Sequence, residues 1–219
     1  MKTVLFVGNS FTYYNDLPTM VTQLSGGRLV CTGVTKGGAF AHQYADPDHE
    51  LGQSLRTALQ TGSWNWVVLQ DQSFNPVGDP GDCGAAMAVL CRLTPDSHHC
   101  FYQTWAYRGG SEKLKKTGLT YEQMYTQLKS TYARCAKDNG GTLAPVGDGF
   151  RAVKAQNPQI ELYDADCYHP SEAGTYLAAC VFCAVLGQLD VEKLPDIPQL
   201  EGAVCEKLRR AVRSVLEGR

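Results

Sequence analysis

The residues of this sequence best suited to chemistry are a serine near its start and an aspartate–histidine pair near its end. Ser10 stands in the run 8–12 (GNSFT), and a serine hydroxyl becomes a useful nucleophile only beside a base. Asp166 and His169 lie three residues apart, a spacing that lets the carboxylate hold imidazole Nδ1 while Nε2 points outward. Together they predict a nucleophile, a base and a residue that orients the base.

Each segment has a simpler interpretation when it is taken alone. Ser10 can be a turn serine or a helix N-cap, and Asp166 can cap the next helix beside an incidental histidine. The pair Asp166 and His169 could also bind a metal, but no third ligand is evident near it in the sequence. The combination is more specific, because each segment follows a predicted strand or extended piece and precedes a predicted helix.

The chain alternates short β-like runs with longer helical ones. The apolar run 66–70 (WVVLQ) is typical of a strand covered on both faces. The stretch 74–83, rich in Pro, Gly and Asp, is interpreted as a surface loop. We predict strands over 3–7, 28–34, 66–70, 99–105 and 142–146, an extended piece over 160–163, and helices over 16–25, 49–60, 83–93, 120–138, 147–156, 171–187 and 199–217.

This alternation predicts an α/β fold, a three-layer α/β/α sandwich with a central, mainly parallel five-stranded sheet of the flavodoxin-like kind. Right-handed crossovers place the carboxyl ends of parallel strands at one edge, where ligands bind in such sheets. Ser10 follows the first predicted strand, and Asp166 and His169 follow the extended piece over 160–163. We therefore expect the three residues to meet at that edge.

Length and composition exclude several classes of protein. A chain of 219 residues with 43% hydrophobic and 19% charged side chains fits one domain over 1–219, with its core at about 3–187. A net charge of −2 and the lack of a basic run argue against nucleic acid as a partner. No apolar run reaches the ~18 residues of a membrane span, and the run after Met1 is too short for a signal peptide. We expect a cytoplasmic protein without a membrane partner.

Nine cysteines are many for this length, and most stand in apolar, periodic segments. Without an export signal, buried reduced thiols are the expected state. Cys180 and Cys183 have the C-x-x-C spacing of redox and zinc sites, but they lie inside an apolar helical pattern without other ligands nearby in the sequence. We expect neither a metal nor a cofactor.

The order serine, aspartate, histidine, with the last two in one short block, resembles the SGNH hydrolase superfamily, also called GDSL-like hydrolases. The run 8–10 (GNS) matches the first block of that family, usually Gly-Asp-Ser, and 166–170 (DCYHP) matches the last. The G-x-S-x-G elbow of α/β-hydrolases is not present, because Thr12 replaces its second glycine. The resemblance extends over about 3–187 and is greatest to a bacterial branch of unassigned function.

The resemblance implies a serine esterase that works through an acyl-enzyme and needs no cofactor. It implies that the oxyanion is held by the backbone amides of Ser10 and Gly38 and by a side-chain amide after the third strand. The family's usual Gly-x-Asn-Asp is replaced there by 70–73 (QDQS). Gln72 aligns with the family's asparagine, whereas Gln70 matches the Gln-Gly-Glu-Ser run of carbohydrate-acetylesterase branches, so both are candidates.

Aromatic residues near the predicted edge suggest what the site binds. Trp105 and Tyr107, after the fourth strand, would form a platform for a sugar ring or an acyl chain, or else pack beneath their loop. Phe11, Phe74 and Phe40 would shape the pocket. Because no long apolar lid is evident, we expect a small-molecule ester with a short acyl group and, more narrowly, an O-acetylated carbohydrate.

Other functions stay open at this point. An acyltransferase or a thioesterase would use the same residues, since the shape of the pocket decides which acceptor reacts. A non-catalytic, flavodoxin-like module would instead bind phosphate at the helix that follows Gly8. A relative that has lost its catalytic activity is a further alternative, and the sequence does not predict the oligomeric state.

Overall fold

A computed structural model describes residues 1–218 of the chain. Within them, five parallel strands form one sheet in the order β2-β1-β3-β4-β5, as the strand–helix alternation predicts. Val4 of the central first strand lies opposite Cys31 on one side and Trp66 on the other. The strands are Lys2–Gly8 (β1), Leu29–Thr35 (β2), Trp66–Leu69 (β3), His98–Tyr102 (β4) and Thr142–Ala144 (β5).

Helices cover both faces of the sheet, which confirms the predicted α/β/α sandwich. They are Ser10–Tyr13 (α1), Leu17–Leu24 (α2), Ala41–Ala45 (α3), Glu50–Thr61 (α4), Asn75–Gly78 (α5), Pro80–Leu93 (α6), Glu112–Lys115 (α7), Tyr121–Asp138 (α8), Val146–Gln156 (α9), Glu172–Gly187 (α10) and Gly202–Glu217 (α11). α10 packs against α2, α9 and α11, while α6 packs against α3, α5 and α8.

Burial explains why the central elements are so apolar. Residues 4–7 of β1 are at most 1% exposed, because neighbouring strands and helices on both faces shield them from water. Residues 173–183 of α10 are all buried, since this helix lies between the sheet and three other helices. β2 lies at the edge of the sheet, and of its residues only Leu29 is buried, because no further strand covers its outer side.

Three sequence predictions about local structure are wrong. The predicted surface loop over 74–83 contains α5 and the start of α6, because Pro76 and Pro80 occupy first-turn positions and Asp79 accepts the amide of Asp82 at 2.9 Å. The strand predicted over 99–105 ends at Tyr102, and the strand predicted over 142–146 ends at Ala144.

The extended piece over 160–163 does not join the sheet. Tyr163 pairs only with Pro170, in an isolated antiparallel bridge that closes a hairpin-like loop. This loop carries Asp166 and His169 and leads into α10. Within residues 1–218, no helix is both long and apolar enough to cross a membrane.

Candidate active site

The loop after β1 places Ser10 at the first position of a helix. Asn9 caps that helix, because its Oδ1 accepts the amide of Phe11 at 3.1 Å. Gly8 allows the loop after β3 to approach closely, since a Cβ at this position would lie 2.4 Å from Gln70 Oε1. The Ser10 hydroxyl is therefore held at the carboxyl edge of the sheet, beside a helix N-terminus that favours negative charge.

Asn9 stands where the first block of SGNH hydrolases usually has aspartate, and its side chain makes contacts that a carboxylate could not make. Its Nδ2 donates to two backbone carbonyls, those of Ala39 at 3.0 Å and Asp71 at 3.3 Å. A carboxylate could not donate, and it would face two carbonyl oxygens in a buried position. The asparagine ties the loop after β1 to the loops after β2 and β3.

Ser10, His169 and Asp166 come together as one hydrogen-bonded row. Ser10 Oγ lies 2.8 Å from His169 Nε2, and His169 Nδ1 lies 2.5 Å from Asp166 Oδ2. Both distances are within the range of hydrogen bonds along which a proton can be transferred. His169 is only 7% exposed, so water competes little for its ring nitrogens.

Asp166 is fixed in place by the backbone of its own loop. Its Oδ1 accepts the amides of Tyr168 at 3.1 Å and His169 at 3.0 Å. Partial burial raises the pKa of this carboxyl, but the hydrogen bonds from the His169 ring and from the two amides outweigh burial, so the pKa lies below its ordinary value. Asp166 is therefore ionised at neutral pH.

The loop between β4 and α7 donates hydrogen bonds to the backbone of the Asp166–His169 segment. The indole of Trp105 donates to the carbonyl of Tyr168 at 3.0 Å, and the amide of Arg108 donates to the carbonyl of Cys167 at 2.9 Å. Cys167 has a left-handed φ of 69°, which turns the chain between the aspartate and the histidine.

The loops after β2 and β3 are held together by a buried carboxylate. Asp71 is fully buried, and its Oδ1 accepts the amides of Ala41 and Gln72, each at 2.7 Å. Its Oδ2 accepts Asn75 Nδ2 at 2.8 Å. Gly38 has a φ of +70°, a left-handed conformation that suits glycine. It stands three residues before Ala41, whose amide donates to Asp71.

Gln70 does not suit the predicted role of oxyanion donor. It is 2% exposed, and its Oε1 accepts the Asn9 amide at 2.9 Å and the Thr12 hydroxyl at 3.0 Å. Its Nε2 donates to Asn9 Oδ1 and to the carbonyl of Asp71. Both ends of the carboxamide are thus used inside the protein, beneath the Ser10 loop.

Gln72 is oriented differently. Its Oε1 accepts the amides of Phe74 at 2.7 Å and Asn75 at 3.1 Å, which fixes the plane of the carboxamide. Its side chain is only partly buried, and among the described residues its Nε2 makes no hydrogen bond with the protein. Of the two glutamines, only Gln72 has a donor to spare.

Three of the aromatic residues predicted to contact substrate are instead core residues. Trp105 is fully buried and stacks between Phe11 and Phe150, with ring centroids 4.6 and 4.1 Å away. Phe11 is itself 1% exposed. Tyr107 is 3% exposed and shares a hydrogen bond with the hydroxyl of Ser73. For Trp105 and Tyr107, the structure therefore favours the alternative of packing beneath their loop.

Other aromatic residues are at least partly exposed or lie against His169. Phe74 and Phe40 are both partly exposed, and Tyr13 is 43% exposed. Tyr14 and Tyr168, which the sequence analysis did not single out, lie directly against His169, each with its ring centroid 4.0 Å from the imidazole. Their nearness to Ser10 and His169 along the chain was the available signal.

Of the cysteines, Cys167 lies in the loop between Asp166 and His169. None of the nine cysteines in the described chain forms a disulfide, and seven of them are buried. Burial raises the pKa of Cys183 to about 12, so this thiol is neutral at pH 7. Within residues 1–218, no group of three or more His, Cys, Asp or Glu side chains is placed to hold a metal ion.

Known structures share this architecture. A candidate SGNH hydrolase from Slackia heliotrinireducens is 32% identical, with a TM-score of 0.78 over 85% of this chain and 99% of that chain. A DUF4886 family protein from Bacteroides uniformis has the same TM-score of 0.78 at 18% identity, over 99% of this chain and 95% of that chain.

An acetylxylan esterase from Geobacillus stearothermophilus, in a mutant form, has the same fold with a TM-score of 0.56 at 13% identity, over 85% of this chain and 94% of that chain. No protein-family model and no curated protein matches the sequence. The 32% identity to the Slackia protein over nearly all of that protein's length, together with the predicted sequence blocks and the observed fold, establishes that this chain belongs to the SGNH hydrolase superfamily.

Proposed function

We propose that this protein is a serine esterase that hydrolyses a small carboxylic ester through an acyl-enzyme on Ser10. The observation that carries the proposal is the continuous row from Ser10 Oγ to His169 Nε2, at 2.8 Å, and from His169 Nδ1 to Asp166 Oδ2, at 2.5 Å. A base that is hydrogen-bonded to the nucleophile and oriented by a carboxylate is what an otherwise weak serine needs.

In the first half of the reaction, His169 Nε2 takes the hydroxyl proton of Ser10 while Oγ bonds to the ester carbonyl carbon. The tetrahedral intermediate then collapses, and His169 returns the proton to the departing alcohol. In the second half, His169 deprotonates a water molecule that attacks the acyl-Ser10 ester, and Ser10 recovers its proton as the acid leaves. Asp166 stays ionised throughout and stabilises the imidazolium.

The charge that develops on the carbonyl oxygen needs hydrogen-bond donors. We assign this role to the backbone amides of Ser10 and Gly38 and to Gln72 Nε2. Ser10 begins a helix, where amides are free of helical partners, and Gly38 lies in a left-handed turn. The spare Nε2 of Gln72, fixed by the two amides that Oε1 accepts, completes the set.

Changing Gln72 to alanine should lower kcat about 10²- to 10³-fold, the usual effect of losing one oxyanion donor. Gln72→Glu is the matched variant, because it keeps an oxygen to accept the amides of Phe74 and Asn75 but removes the donor. We expect both variants to be impaired in hydrolysis of p-nitrophenyl acetate, while Gln53→Ala, on an exposed helix face, stays active. Full activity of Gln72→Glu would mean that Gln72 only shapes its turn.

For the substrate, we propose an O-acetylated carbohydrate. The partly exposed rings of Phe40, Phe74 and Tyr168 and the exposed ring of Tyr13 offer flat apolar faces of the kind that pack against sugar rings. The structural neighbours include an acetylxylan esterase, which at 13% identity supports this substrate by analogy of fold only.

A fluorophosphonate probe tests the proposed function directly. The wild-type protein should be labelled on Ser10, as located by peptide mass spectrometry, and should hydrolyse p-nitrophenyl acetate faster than the octanoate ester. His169→Ala should resist labelling, because the serine then lacks its base. Labelling of another serine, or equal labelling of His169→Ala, would refute the proposal. Release of acetate from acetylated xylo-oligosaccharides, with and without added alcohol acceptors, then tests the substrate and separates hydrolysis from acyl transfer.

A further inference from the structure

Tyr14 stacks face to face on the ring of His169. The two ring centroids are 4.0 Å apart, and the planes differ by only 2°. Tyr168 and Phe11 contact the same imidazole at steeper angles of 37° and 70°. Tyr14 is therefore the ring that matches the imidazole plane, and it arises from the Ser10 side of the site.

The backbone that follows Tyr14 is held in a costly conformation. Asn15 and Asp16 have φ values of 50° and 48°, so two successive non-glycine residues are left-handed. Such conformations persist only where the surroundings over-determine them, and they concentrate at functional sites. The turn between α1 and α2 thus places Tyr14 at the expense of local backbone strain.

The side chain of Asn15 holds this turn against the segment that follows His169. Its Nδ2 donates to the carbonyl of Pro170 at 3.1 Å and to the hydroxyl of Thr175 at 2.9 Å. Thr175 is 1% exposed, so the second bond is shielded from water. Asn15 therefore ties the Ser10 loop to the His169 loop and brings Tyr14 over the imidazole. We call these two hydrogen bonds of Asn15 the Asn15 clamp.

We propose that Tyr14, placed by the Asn15 clamp, is a positioning residue for His169. Its ring holds the imidazole plane with Nε2 on Ser10, and its π-face stabilises the imidazolium that forms when His169 takes the serine proton. A cation over an aromatic face is attracted by the ring quadrupole. This inference rests on the esterase function proposed above and adds a residue to it.

The charges around the stack are compatible with this role. Partial burial, and then the nearby carboxylates Asp166 and Asp164, raise the pKa of Tyr14, so its phenol is neutral at the pH of catalysis and its ring acts through its face. Asp166 is the carboxylate on the imidazole itself. The Nζ of Lys113 lies 4.0 Å from the ring centroid of Tyr168, so this cation faces Tyr168 and not Tyr14. Tyr13 stands beside Tyr14, with ring centroids 6.0 Å apart.

Steady-state kinetics of ester hydrolysis test the role of the Tyr14 ring. Tyr14→Phe keeps the aromatic face and should retain kcat within about 2-fold, whereas Tyr14→Leu should lower kcat about 3- to 30-fold with KM unchanged. A rise in KM alone would identify Tyr14 as a substrate contact and overturn the proposal. Equal losses in the Phe and Leu variants would do the same.

The clamp has its own variants, which also serve if Tyr14→Leu fails to fold. Asn15→Gly relieves the left-handed strain but removes the two hydrogen bonds, so we expect it to lower kcat. Asp16→Gly relieves strain at the next position, where the side chain makes no capping bond, and should leave kcat unchanged. Normal kcat in Asn15→Gly would contradict a positioning role for the clamp.

A spectroscopic readout separates failure of this inference from failure of the proposed function. In a Ser10→Ala background, the ring protons of His169 should show the shielding of a stacked aromatic ring, and Tyr14→Leu should abolish that shift while Tyr14→Phe keeps it. Unaltered His169 resonances in Ser10→Ala/Tyr14→Leu would overturn the stack whether or not Ser10 is the nucleophile. Full activity of Ser10→Ala alone would instead refute the esterase mechanism.

Discussion

Replacing Ser10 with alanine should reduce kcat for p-nitrophenyl acetate by about 10⁴- to 10⁶-fold, leaving only the ~10³–10⁴-fold advantage over water that binding and the oxyanion donors supply. The physical reason is that Oγ forms the covalent bond to the acyl group, and no other hydroxyl stands 2.8 Å from His169 Nε2 among the described residues. Burst kinetics with the wild-type protein and steady-state rates with the variant would measure the effect.

The variant should fold normally, because within residues 1–218 the Oγ of Ser10 is hydrogen-bonded to His169 alone and alanine is well tolerated in the first turn of a helix. Ser54→Ala is the matched control, since that serine is exposed on α4 and bonds only to the carbonyl of Glu50. Thermal unfolding should give similar midpoints for both variants. Substantial esterase activity in Ser10→Ala, at unchanged stability, would exclude the acyl-enzyme route.

The fold was predictable because its strongest signals are local. Continuous apolar runs such as 66–69 mark strands buried on both faces, and the alternation with helices leaves a parallel sheet as the simple solution. The short helices were not predictable in the same way. α3 and α7 span only 5 and 4 residues, too few for a hydrophobic period to show.

The site was predictable in outline for a topological reason. Loops that follow parallel strands meet at one edge, and Ser10 follows β1 there. The loop that leads into α10 brings His169 to the same place, although 159 positions separate the two residues. The details depended on where strands stop and chains turn. β4 ends at Tyr102, which buries Trp105 beneath the loop, and the turn after β3 directs Gln70 inward while Gln72 keeps a free amide.

The stack of Tyr14 on His169 lay beyond the reach of sequence reasoning. It depends on left-handed φ values at Asn15 and Asp16, which no hydrophobic pattern encodes. Asparagine and aspartate tolerate that conformation better than most residues, so their succession was compatible with the turn but did not require it. The contact with Thr175 joins segments 160 positions apart and is visible only in three dimensions.

Changing Asp166 to asparagine should lower kcat by about 10⁴-fold while leaving the shape of the loop intact. The Oδ1 that accepts the amides of Tyr168 and His169 stays an oxygen, which forces the new NH₂ group toward His169 Nδ1. Nδ1 must then accept, so the imidazole carries its proton on Nε2 and cannot take the proton of Ser10. Steady-state kinetics with p-nitrophenyl acetate measures the loss.

Stability should depend on the same carboxylate in a defined pH direction. Because the folded-state pKa of Asp166 is lowered, its contribution is present above the pKa of the unfolded carboxyl and is lost as the pH falls through the folded value. Urea unfolding should therefore show wild type more stable than Asp166→Asn near neutral pH, with the difference shrinking in acid. A constant difference across that range would mean that the charge of Asp166 is not what stabilises the loop.

Asp164→Asn is the matched control for both measurements. It lies in the same loop, but its carboxylate accepts the amide of Ala165 at 2.7 Å, whereas the carboxylate on His169 Nδ1 is that of Asp166. We expect its kcat to stay near wild type. A loss of activity in Asp166→Asn alone would tie the rate to the proton that Asp166 holds on His169 Nδ1. Equal losses in Asp164→Asn and Asp166→Asn would instead mean that both substitutions act through the conformation of the loop.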